Sequence, residues 1–144
     1  MALVLCLYAS AYPQSMSVLN YVNELGNREQ ASFGDIVKLI VLDMGEKTLG
    51  FESDFSVLCA RNKIAFGYNL YENTPLRKGV AARLIARYLS LTDSLMYVIF
   101  GTERYAFRAC VAAGIMIADG SEWDYVSGDE LLEIMRRVAV ISGV

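Results

Sequence analysis

The chain contains no histidine. Without an imidazole there is no Ser/His/Asp or Cys/His catalysis, no histidine-ligated zinc and no histidine switch near neutral pH. Chemistry here falls to carboxylates, tyrosine, cysteine, lysine or backbone groups. Cysteine is scarce: Cys6, Cys59 and Cys110 are widely separated, and each sits in an apolar stretch. Such placement is typical of buried free thiols and points to a reducing compartment. No apolar run approaches the ~20 residues of a membrane span. Residues 2–8 form the longest early run. They lack the basic flank of a signal peptide, despite the Ala9-Ser10-Ala11 that follows, and read as a buried strand. We expect a cytoplasmic protein with no membrane association.

What is present is apolar. Of 144 residues, 55% are hydrophobic and 20% charged, and the mean hydropathy is +0.35, so the chain has ample surface to bury and should fold. Its length fits one domain, residues 1–144, with a single core. The net charge of -3 and pI near 4.9 remove the long-range attraction that nucleic acid or an anionic membrane needs. Anion binding is left to local basic clusters.

Periodicity divides the chain into alternating elements. After the strand at 2–8, Val18, Leu19, Val22 and Leu25 recur at helical spacing until Gly26-Asn27, and a second helix follows over roughly Ser32 to Met44. Phe55, Val57 and Cys59 alternate with Ser56, Leu58 and Ala60. Beyond a turn at Arg61-Asn62-Lys63, Ile64, Phe66, Tyr68 and Leu70 resume the alternation, which predicts a β-hairpin. Val80, Leu84, Tyr88 and Leu91 predict a helix, Leu95–Phe100 a buried strand, and Glu103–Ala113 a helix closed by Gly114. Ile115–Ile117 begins another strand. A capped helix over Leu131–Arg137 precedes the strand-like Val138–Ile141. No repeat is visible. The order predicts an α/β (α+β) fold: a mixed, mostly antiparallel twisted sheet with helices on both faces.

Tyr71 to Ile85 carries the most chemical information. A strand ends, a polar loop turns, and a helix begins at Arg77-Lys78-Gly79-Val80-Ala81-Ala82. Small residues at Gly79 and Ala81 let a ligand approach the backbone, a helix start attracts anions, and Arg77 and Lys78 add charge. Leu76-Arg77-Lys78-Gly79-Val80-Ala81 resembles the cofactor loop of the GNAT N-acetyltransferases, Q/R-x-x-G-x-G/A, at the glycine and the last small residue, and departs from it at Leu76. A second block resembles the family's N-x-x-A-x-x-x-Y-x-x-x-G-[FY]: Glu103 falls on the Asn, Ala106 on the Ala, Cys110 on the Tyr, Gly114 on the Gly and Ile115 on the aromatic. The two blocks cover roughly Phe55 to Ile117.

That resemblance implies an acetyl-CoA-dependent N-acetyltransferase acting on a primary amine. Arg77, Lys78, Gly79, Val80, Ala81 and Ala82 would hold the coenzyme A pyrophosphate. Tyr68 and Leu70 would lie on the splayed strand beside the pantetheine arm, with Glu103 on the adjoining helix. Glu72 is the candidate general base, with Glu52 and Asp54 in reserve. Cys110, or Tyr105 in its place, would protonate the departing thiolate. Arg83, Arg87, Arg104 and Arg108 could line a groove for the adenosine 3′-phosphate or only solvate helix faces. Trp123 and Tyr125, flanked by Glu122 and Asp124, fit an acceptor-pocket wall or a half-buried strand edge.

The alternative is a binding or structural protein without catalysis, whose partner is another protein. Gly101-Thr102, Arg108 and Ala113-Gly114 loosely resemble the small acetyltransferase-like proteins of short-tailed phages. Pairing of an apolar edge over Val138–Val144 would support a homodimer.

Overall fold

The computed structural model describes residues 16–61, 70–91 and 101–143. Those residues are helical and contain no strand, which overturns the expected α/β sheet. We number the helices α1 (residues 16–26), α2 (Phe33–Asp43), α3 (Phe51–Ala60), α4 (Lys78–Tyr88), α5 (Glu103–Ala112) and α6 (Gly128–Ser142). Helices α1, α2, α4 and α5 stand where the periodicity placed them, and Gly114 takes the left-handed φ of 76° that ends α5. None of the described helices is long and apolar enough to cross a membrane.

Two predicted strands are helices. Phe51, Phe55 and Leu58 lie at i, i+4 and i+7, and this spacing prevails over the shorter alternation through Cys59. Phe51 and Phe55 meet the buried Phe33 of α2 edge-on, with centroids 6.0 and 6.1 Å away, so α3 is held by the face the alternation did not register. Val138–Ile141 continues α6, where Leu131, Ile134, Met135 and Val138 are the buried stripe while Val140 and Ile141 are exposed. Ile115–Ile117 is a bend that buries Ile115 and Met116. The predicted strands at 2–8 and Leu95–Phe100, and all but Leu70 of the hairpin's second strand, lie outside the described residues.

Three buried residues close the fold by exchanging backbone hydrogen bonds in a ring. Ala31 N–H donates to the Val126 carbonyl (2.8 Å), Val126 N–H to that of Leu76 (2.9 Å), and Leu76 N–H to that of Ala31 (2.9 Å). Each ring residue lies between two helices, so the described chain forms three units: α1–Ala31–α2, α3–Leu76–α4 and α5–Val126–α6. The first amides of a helix have no partner within it. Here the turn of the next unit receives them: Phe33 N–H donates to Thr74 O (2.8 Å), Lys78 N–H to Asp124 O (2.8 Å), and Gly128 N–H to Arg28 O (3.1 Å).

No repeat is visible in the sequence because the units share geometry more than letters. In ring register, Ile36, Ala81 and Leu131 are equivalent and buried, as are Leu39, Leu84 and Ile134. A glycine opens each second helix where the neighbouring unit comes closest. A Cβ at Gly34 would lie 3.0 Å from Glu72 O, one at Gly79 2.9 Å from Glu122 O, and one at Gly128 only 1.7 Å from Leu25 O. At the far ends of the same helices, Asp43 of α2 accepts from Tyr88 Oη of α4 (2.5 Å) and Ser142 Oγ of α6 (3.1 Å).

Candidate functional site

The start of α4 is occupied by the protein itself. Lys78 N–H and Gly79 N–H donate to the carbonyls of Asp124 and Glu122, each at 2.8 Å, and Ala81 N–H to that of Arg77 at 3.0 Å. A Cβ at Gly79 would meet Glu103 Cβ at 2.8 Å and Glu103 Oε2 at 2.9 Å. Thus the Glu103 carboxylate lies against the positive end of α4, the position where the sequence pattern placed a diphosphate. Val80, Ala81 and Ala82 are buried, and Leu76, the departure from the family pattern, is the apolar residue of the ring.

Lys78 does not face solvent. Its ammonium pairs with Asp119 Oδ1 at 3.2 Å and Glu130 Oε1 at 3.3 Å, fastening α4 to the loop before Ser121 and to α6. Burial lowers its pKa, but the hydrogen bonds and charges of Asp119 and Glu130 outweigh that and hold it above the ordinary lysine value.

The candidate catalytic residues lie in separate places. Glu72 is exposed in the turn at the start of α2, where its carbonyl accepts from Gly34 N–H at 2.9 Å. Cys110 is buried on α5 with Sγ directed at the Ala82 carbonyl of α4, 3.5 Å away, and burial pushes its thiol up to about 12. Such a thiol is a poor proton donor to a thiolate of ordinary pKa near 8.5. Tyr105 is half-buried on α5. None of the three lines the main cleft. Of the reserve carboxylates, Asp54 is buried and accepts from Leu49 N–H at 3.2 Å, while Glu52 is exposed. Tyr68 lies outside the described residues.

The main cleft, about 630 Å³, opens between α4, α5 and the turn at 121–125. Leu70, Arg77, Val80 and Glu103, all residues that the family resemblance gives to the cofactor, line it together with Arg83 and Arg104. Trp123 and Tyr125 form one wall, 62% and 47% exposed. The Arg77 guanidinium lies 5.7 Å from the Trp123 ring centroid and 5.8 Å from that of Tyr125, and an antiparallel bridge joins Arg77 to Tyr125 along the backbone. Both distances fall within the range for cation–π attraction.

Ring register shows that the fold does not demand these side chains. Three residues before the ring, Trp123 corresponds to Asn73 and Arg28; one residue before it, Tyr125 corresponds to Pro75 and Gln30. One residue after it, Arg77 corresponds to Ser32 and Ser127. Both serines cap their helices, Ser32 Oγ accepting from Asp35 N–H (3.2 Å) and Ser127 Oγ from Glu130 N–H (3.1 Å). Arg77 provides no side-chain cap. By sequence alone Trp123 and Tyr125 fit a pocket wall or a strand edge; the signal for their setting is the shared Ser/Arg-to-glycine pattern behind a buried residue, at Ser32, Arg77 and Ser127.

Among the described residues no group of acids and thiols is arranged to hold a metal ion. No family model matches the sequence, and no curated protein or solved structure shows significant similarity to it.

Proposed function

We propose that the protein is a recognition module whose cleft between α4, α5 and the 121–125 turn binds a segment of a partner protein. The carrying observation is the exposed pair Trp123 and Tyr125 with the Arg77 guanidinium within cation–π distance of both rings, at positions where the other two units hold no aromatic residue and, for Arg77, a serine. Tryptophan, tyrosine and arginine dominate the energetics of protein interfaces, because each presents a large, stiff contact surface with a polar edge. A scaffold stabilised by its ring has no need of them. An indole and a phenol exposed side by side and rimmed by charged residues form a patch of the kind used for contact with another protein.

Acetyl transfer has less support. The amides that the family resemblance assigned to the pyrophosphate donate to Asp124 and Glu122, Glu103 fills the space in front of Gly79, and Cys110 is sequestered. Among the described residues, neither Glu72 nor Cys110 nor Tyr105 lines the cleft.

Selection of a random peptide library displayed on phage tests the proposal, with Trp123→Ala as the counter-screen. Enriched peptides should bind the wild-type protein at least about tenfold more tightly than the variant, the scale of one interface hot spot. The circular dichroism of the variant should be unchanged. Failure to enrich any Trp123-dependent peptide would contradict the reading.

A further inference from the structure

We infer that the segment bound in the cleft is acidic and that Arg77 receives one of its carboxylates; this rests on the proposed recognition role of the cleft. Arg77 occupies the N-cap of α4, where a cation opposes the helix dipole and where serine, the choice in both other units, would satisfy an amide. The residue is thus locally unfavourable for folding. Such a departure from the rule followed at equivalent positions marks a site kept for another purpose.

The geometry specifies that purpose. The guanidinium stands within cation–π distance of both Trp123 and Tyr125, and among the described residues no carboxylate or carbonyl is hydrogen-bonded to it. A guanidinium presents its in-plane N–H groups as a fork matching a carboxylate, and the two adjoining rings offer apolar surface beside it. Charge agrees. Arg77, Arg83 and Arg104 line the cleft against Glu103 and Glu122, and Glu103 is directed at the start of α4. Arginines thus outnumber glutamates among the described residues lining the cleft, on a chain whose net charge is -3. An acidic segment carrying an apolar side chain for the Trp123 wall matches both features.

The test uses the full chain and the peptides enriched in the selection above. Each is synthesised as found and with every Asp and Glu replaced by Asn and Gln, and both forms are titrated against wild type and Arg77→Ser. The enriched set should be rich in Asp and Glu. The amide forms should bind about tenfold more weakly to wild type, in line with loss of a charge-assisted pair. Arg77→Ser should bind acid and amide forms alike, while its Tm rises by about 3 °C as the cap is restored. Trp123-dependent peptides that are neutral or basic, or full acid preference in Arg77→Ser, would overturn the inference and leave the recognition role standing. Absence of any Trp123-dependent peptide would remove both. Trp123-dependent binding of a twelve-residue oligothymidylate, tighter than any peptide, would overturn the inference in favour of a phosphate ligand.

Discussion

The amide of Gly79 donates to the carbonyl of Glu122 across 2.8 Å, so the glycine that looked reserved for a ligand is a contact between two units of the fold. With the Glu103 carboxylate 2.9 Å from where its Cβ would stand, Gly79 has no room for a side chain. Gly79→Ala is expected to lower stability by about 1–3 kcal/mol, the usual cost of overpacking. Gly128→Ala should cost more, because the opposing atom is backbone at 1.7 Å rather than partly side chain. Urea denaturation of the two variants measures this, and equal or negligible losses would contradict it.

Alkaline pH should weaken the fold through Cys110. Burial raises its pKa from 9.0 to about 12, so the folded chain keeps the proton that the unfolded chain releases. The associated stability is complete below pH 9 and is lost between pH 9 and 12, at about 1.4 kcal/mol per pH unit. Lys78, raised by its partners once burial is offset, acts in the same direction above the ordinary lysine pKa. Stability measured from pH 8 to 11 should fall less steeply in Cys110→Ala than in wild type. At pH 8, Ellman's reagent should label the exposed Cys59 and leave Cys110 unmodified until the chain unfolds.

Fluorescence reports on the cleft directly, because Trp123 is the single tryptophan. Its emission should be that of a solvated indole. Iodide, attracted by Arg77, should quench it more efficiently relative to neutral acrylamide in wild type than in Arg77→Ser. An unchanged ratio would mean that the arginine does not stand over the ring in solution.

Much of the local helical structure was legible in the sequence, because one-faced spacing such as Val80, Leu84 and Tyr88 is a property of the chain itself. Phe55 to Cys59 misled because a short apolar alternation satisfies a strand template while Phe51, Phe55 and Leu58 satisfy a helical one. Only tertiary contact with Phe33 decides between them. The ring could not be read at all, since hydrogen bonds among Ala31, Leu76 and Val126 use backbone atoms common to every residue. The site was half legible: Arg77, Glu103 and Trp123 stand out in the sequence, as part of a cofactor loop, of an adjoining helix, and of an acceptor wall or a strand edge, with nothing in the letters to join them. What unites them is the close approach of the second and third units.

Hydrogen exchange at the amides of Ala31, Leu76 and Val126 tests the closed ring most directly. All three should exchange only through global unfolding, with free energies equal within about 1 kcal/mol, and Gly128→Ala should lower them together. Exchange of any one of them through a local opening several kcal/mol easier, with the other two unchanged, would contradict a fold held by mutual closure of three units.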